Sequence, residues 1–151
     1  MTTATPEPRV SVPAHNAAAC HRAAAGEAQM VEVVFPEQAN HYGTLFAGNA
    51  LNLLSKAAFL SASRHVRGNV VMAACHEVRF LSPVRVGEAL QIRAEVTRSG
   101  RSSMTVQVEG RAEVLASSEL RPALEGRFEM VAVDAHGRPR RHTPFTQEET
   151  P

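Results

Sequence analysis

One stretch constrains this chain more than any other. From about Phe46 to His65 the sequence suits a helix, and apolar residues wrap most of its circumference. Leu51, Leu54 and Ala58 fall on one stripe, and Leu53, Ala57 and Leu60 on the next. A helix apolar nearly all round is expected to be buried rather than laid on a surface. Ala50, Ala57, Ala58 and Ala62 keep it thin, so that a sheet can wrap closely around it. Gly68-Asn69 is the expected stop.

Strands surround that helix in the sequence. Before it, Met30 to Phe35 is a β-branched run closed by Pro36. After it come two short runs, Val70 to Ala74 and Glu77 to Leu81, then a turn at Pro83 and Gly87. Ala89 to Thr97 alternates, and Ser99-Gly100 signals a hairpin before Met104, Val106 and Val108. Val114-Leu115 continues that strand, Arg127 to Val133 supplies another, and Asp134 to Gly137 reads as a terminal turn. One strand, one long buried helix and four or five antiparallel strands make an α+β domain wrapped around the helix. A single sheet of this size leaves an edge open, which a second copy can cover.

Composition bounds the function. With 151 residues, 44 % hydrophobic and 21 % charged, the chain suits one globular domain. A net charge of +1 gives no sign of a nucleic-acid partner. Cys20 and Cys75 share no metal-ligand spacing, and reduced thiols in a cytoplasmic protein are the expectation. No apolar stretch reaches membrane-span length, and the Ala-rich N-terminal segment lacks the build of a secretory signal. Residues 1–28 read as a disordered extension in which 17–25 can form a short helix, 29–142 as the domain, and 143–151 as a flexible tail.

Four segments then point to a family. Asn40-His41-Tyr42-Gly43-Thr44-Leu45-Phe46-Ala47-Gly48 resembles the entry into the central helix of the hotdog-fold acyl-CoA thioesterases. Phe80-Leu81-Ser82-Pro83-Val84-Arg85-Val86-Gly87-Glu88 is similar to that family's strand and turn, and Gly100-Arg101-Ser102-Ser103-Met104 to its hairpin. Val131-Ala132-Val133-Asp134, with Gly137, Pro139 and Arg140, is similar to its ending. All four stand in the family's order between Met30 and His142. The resemblance implies a hotdog fold, an antiparallel sheet wrapped around one long central helix. It also implies hydrolysis of an acyl-CoA without a further cofactor, coenzyme A being part of the substrate. The implied assembly is a homodimer with substrate between subunits, extended to a tetramer or hexamer.

The chemistry of the first motif follows from the reaction. Thioester hydrolysis passes through a tetrahedral oxyanion that needs donors aimed at it. A helix start offers unpaired N–H groups and a positive dipole end. The resemblance places this role on the amides of Ala47 and Gly48, with Asn40 and His41 in the catalytic loop and Thr44 and Phe46 against the substrate. Gly48 either lets the carbonyl approach or merely permits close packing. Coenzyme A phosphates suit arginine forks and hydroxyls; Arg98, Arg101, Ser102 and Ser103 are the nominated contacts, with a second basic group at Arg138, Arg140 and Arg141.

Two positions depart from the family pattern. Where it carries a catalytic carboxylate, this chain has Ser55, and where it usually carries an aspartate, this chain has His76. Glu77 is adjacent to His76 but by alternation faces the other side. Ser55 is either a nucleophile, with His41 as the nominated base, or a small polar residue in a site that has lost its base. The functions to separate are therefore an acyl-CoA thioesterase and a non-catalytic acyl-CoA binder or sensor. A hydratase built on Glu37 and His41 is disfavoured because the pattern around them is absent.

Overall fold

The computed structural model describes residues 25–143; the expected N-terminal helix and nearly all of the C-terminal tail lie outside them. Five strands form one antiparallel sheet: β1 (Glu27–Val33), β2 (Val70–Phe80), β3 (Ala89–Ser99), β4 (Ser103–Val114) and β5 (Glu119–Ala132). Their order across the sheet is β1-β3-β4-β5-β2, so β1 and β2 are the edges. The single long helix α1 (Ala47–Val66) packs on its inner face. This is the wrapped sheet that the sequence leads one to expect.

Alternation fixes which residues face the helix. Leu90, Ile92 and Ala94 of β3, Met104, Val106 and Val108 of β4, and Phe128, Met130 and Ala132 of β5 are all buried. They meet Leu53, Leu54, Ala57, Ala58 and Ala62 of α1. Three alanine methyls in that row let the helix lie close to the sheet. Full burial of Leu54 contributes roughly 1.5–3 kcal/mol.

The helix is not buried all round, however. Leu51 is 38 % exposed and Phe59 is 48 % exposed, and Lys56 is exposed too. One chain supplies sheet for only one side of α1, so its Leu51–Ser55–Phe59 stripe stays open. The helix also stops earlier than Gly68. Arg67 takes the left-handed cap at φ 51°, its N–H bonded to the Ser63 carbonyl.

Other boundaries move for identifiable reasons. β1 begins at Glu27, inside the segment read as extension, and stops at Val33 rather than Phe35. β2 is one strand rather than two, because register shifts between Met72/Ala74 and His76/Arg79 interrupt its alternation without breaking its pairing to β5. Glu77 sits in the second irregularity with φ 50°. Its carboxylate accepts from Arg127 Nη2 at 3.1 Å, the cross-strand neighbour of His76, so the expected placement on the opposite face does not hold. β5 starts at Glu119, eight residues before the expected Arg127. Pro122 hid that start, and it is tolerated beside the Gly110/Arg111 shift, before β2 pairing begins at Leu124. Leu115 lies in the β4–β5 turn rather than continuing β4.

Among the described residues, no helix is long and apolar enough to cross a membrane, and no group of three or more potential ligands could hold a metal ion.

Candidate active site

The first two sequence motifs meet at the start of α1. The loop 39–45 is stitched to the turn 84–88: the Leu45 N–H donates to Val84 O at 2.7 Å, and the Val86 N–H to Gly43 O at 3.0 Å. Glu88 and Arg121 hold the turn from beneath. Arg121 donates to both Glu88 carboxylate oxygens (3.0 and 2.6 Å) and to Pro83 O (2.6 Å), and the Arg85 N–H donates to the same carboxylate. These hydrogen bonds hold the Glu88 carboxyl below its ordinary range, outweighing burial.

Inside the loop, Asn40 is the organiser. Its Oδ1 accepts from the Tyr42 N–H, the Thr44 N–H and Thr44 Oγ1 at 3.0, 3.2 and 3.2 Å. These contacts leave the Asn40 amide NH₂ with no partner among the described residues. His41 is exposed and stacks on Tyr42, ring centroids 4.0 Å apart. Gln38, which the sequence did not single out, ties this loop to the helix. Its carbonyl accepts from the Phe46 N–H at 2.9 Å and from Asn49 Nδ2 at 3.0 Å. Only the close approach of residues eight and eleven positions apart reveals it.

The helix start itself is open. Phe46 is the N-cap residue with no side-chain cap, and no acidic residue occupies the first turn. Ala47 and Gly48 are exposed residues, and their N–H groups meet no acceptor among the described residues. The Phe46 ring lies over Gly48: a β-carbon there would stand 2.7 Å from Phe46 Cε1. That ring is 54 % exposed, so a side chain at Gly48 would turn the far edge of the ring aside. Beside the loop lies a cleft of about 300 Å³, lined by Thr44, Leu45, Ala50, Phe80, Val84 and Leu124 among others. Its walls are mostly apolar.

Ser55 stands apart from this group. It lies eight residues beyond Ala47, about 12 Å along the helix, on the half-open stripe. Its hydroxyl donates to the Leu51 carbonyl at 2.6 Å and lies 3.1 Å from that of Asn52. No histidine is hydrogen-bonded to it among the described residues. Within one copy no hydrogen bond joins it to His41, the nominated base.

The remaining candidates gather at the far end of α1, about 30 Å from its start. Arg98, Arg101, Ser102 and Ser103 belong to the β3–β4 hairpin, where the Gly100 N–H donates to Ser103 O at 2.7 Å. The fourth motif lies beside the third: the Ala132 N–H donates to Ser102 O at 2.7 Å. Among the described residues, Arg98, Arg101, Arg138 and Arg141 have no carboxylate partner. His76 is exposed midway along the edge strand β2.

Known proteins resemble this chain in sequence and in fold. The family described as Thioesterase superfamily matches residues 42–117. An acyl-CoA thioester hydrolase of Zymomonas mobilis is 35 % identical over 125 residues, covering 83 % of this chain and 84 % of that one. Another, from Bacillus subtilis, is also 35 % identical, covering 77 % and 69 %. Among solved structures, a hexameric acyl-CoA thioesterase in its apo form superposes with a TM-score of 0.77 at 33 % identity, over 82 % of this chain and 80 % of that one. The acyl-CoA hydrolase of Staphylococcus aureus, in complex with butyryl coenzyme A and coenzyme A, gives 0.75 at 30 % identity, over 83 % and 76 %.

Proposed function

This chain belongs to the Thioesterase superfamily, within its hotdog-fold acyl-CoA hydrolases, and from that membership we propose that it hydrolyses an acyl-CoA to the free acid and coenzyme A. The observation that carries this reading is the uncapped start of α1, with two free amides and the free Asn40 NH₂ beside an apolar cleft. A thioester carbonyl at the helix start accepts hydrogen bonds from Ala47 and Gly48 N–H, and its acyl tail enters the cleft past Leu45 and Ala50. Water adds to the carbonyl carbon and the oxyanion forms against the amides. The C–S bond then breaks, and the coenzyme A thiolate takes the proton that water gave up.

The whole site needs two copies in this reading. Ser55 and the arginine hairpin are too far along the helix to meet the same thioester as Gly48 of their own chain. A homodimer joined along β2 brings the far end of one chain beside the helix start of the other. Support comes from the exposed apolar residues on that side, Val71 and Met72 of β2 with Leu51 and Phe59 of α1. Arg98, Arg101, Ser102 and Ser103 then receive the coenzyme A phosphates. In the Staphylococcus enzyme, alanine variants have been solved at an asparagine and at an aspartate fifteen positions further on. Asn40 and Ser55 stand at that same separation here.

A second reading, an acyl-CoA binder with little turnover, is favoured by one observation. The Ser55 proton is spent on the helix carbonyls, and a hydroxyl does not accept a proton from water at neutral pH. A thiol-reagent assay over acyl-CoAs of graded chain length separates the two. Release of coenzyme A above the uncatalysed rate is the expected result. Saturable binding without release identifies the binder, and neither binding nor release removes both readings.

A further inference from the structure

The basic segment after β5 folds back onto the domain as a strap. Past the Asp134–Gly137 turn, Pro139 bridges to Val133, and the Arg140 N–H donates to Ala132 O at 2.9 Å. Arg140 Nε donates to Val133 O at 3.1 Å, and the guanidinium fills the space a side chain at Gly68 would need. Two residues on, the His142 N–H donates to the carbonyl of Arg101, at the tip of the β3–β4 hairpin, at 3.0 Å. The His142 ring meets His65 edge to face, centroids 5.8 Å apart at 72°. His65 in turn shares a 3.0 Å hydrogen bond with Ser99 Oγ. One pair of histidines therefore joins the end of α1, the hairpin and the strap.

We propose that His142 is a positioning residue: by docking the strap on His65 and on the Arg101 carbonyl, it fixes the hairpin in the form that presents Arg101 to the nucleotide end of the substrate. The inference rests on the thioesterase reading above. Hairpin tips are ordinarily the mobile part of a sheet. A tip pinned by a separate segment has already lost that freedom, so less ordering remains to be done when a phosphate binds.

The same contact is sensitive to acid. Both ring nitrogens of His142 are shut off from solvent and have no hydrogen-bond partner among the described residues. The helix end contributes Arg64 and Arg67, and the hairpin arms contribute Arg98 and Arg101. Arg140 and Arg141 come from the strap itself. The acid on the nearest strand, Glu27, is paired with Arg93, and Asp134 accepts two backbone N–H groups in its own turn. Burial first, and the charge of His142 second, hold His65 below the ordinary imidazole value of 6.5. His65 takes up its proton more readily with the strap undocked than with it docked. Docking is therefore complete above that value and weakens as pH falls below it.

The test uses the full chain, with an acyl-CoA and the N-acetylcysteamine thioester of the same acid, which lacks the nucleotide. His142→Ala is expected to raise KM for the acyl-CoA about ten-fold, the loss of one charge-assisted contact, with kcat held within two-fold. KM for the short thioester should be unchanged. His142→Phe, which keeps the ring, should restore KM, and His65→Phe, which cannot titrate, should remove its rise between pH 7 and pH 5.5. Equal losses on both substrates would overturn the proposal. Hydrogen exchange decides it even if no thioester is turned over: amides 100–103 should lose protection in His142→Ala, and unchanged exchange there overturns it. Absent turnover with altered exchange counts against the thioesterase reading alone.

Discussion

A water molecule beside a serine has nowhere to send its proton, whereas beside a carboxylate it does. Ser55 sits half-buried on the open helix stripe, and Lys56 next to it is exposed. Ser55→Asp should therefore raise turnover of the preferred acyl-CoA by about 10²–10⁴-fold, the usual reach of a general base, with affinity within a few-fold. Lys56 works against the upper end by stabilising the carboxylate and lowering its basicity. Ser55→Ala should change little; if it abolishes a robust activity, the hydroxyl is catalytic after all. A second residue-scale effect belongs to the turn that carries the loop. Glu88 has its folded pKa depressed by Arg121, so the pair stabilises fully above about 4.5 and loses that contribution as pH falls through the lowered value. Arg121→Ala should cost about 1.5–3 kcal/mol in urea unfolding at pH 7. The gap to the parent protein should close at low pH, and a pH-independent gap would assign the loss to packing instead.

At the scale of elements, the helix start is where fold and function separate. Gly48→Ala places a methyl against an exposed, rotatable ring, and alanine favours a helix by about 0.5–1 kcal/mol over glycine. Thermal stability should hold or rise while turnover falls by up to about 10²-fold, as the methyl keeps the thioester carbonyl from the amide donors. Unchanged turnover would remove the helix start from the mechanism. The elements also show what the sequence could carry. The four motifs were legible because each is local, written in consecutive residues. Their pairing, first with second and third with fourth at opposite ends of α1, depends on sheet order. No short-range pattern encodes that order. The half-open helix was missed for a related reason: an apolar circumference tells how much of α1 must be covered, and not which molecule does the covering. Glu77 escaped because a strand irregularity leaves no mark on a single sequence. Gln38 escaped because its partners lie beyond the loop.

For the whole molecule, the exposed residues on β2 and α1 make the assembly testable through its edge. Met72→Arg places a charge on the open side of β2 and should shift sedimentation from dimer to monomer. Activity should fall in proportion to dimer lost, since each thioester site draws on both chains in the proposed arrangement. A fully active monomer would place the site within one copy. The two edges of the sheet are unlike, and this matters beyond catalysis. β2 has eleven residues, and β1 has seven, with Glu27 and Glu32 along it and Pro36 just past its end. Joining β2 to its own copy leaves β1 at both outer rims, where shortness and charge discourage another strand from adding. In the proposed dimer, growth of the sheet therefore ends at two chains. In that proposed arrangement the molecule gains an interface without becoming a fibre-forming surface, and larger assemblies have to be built through some contact other than strand pairing.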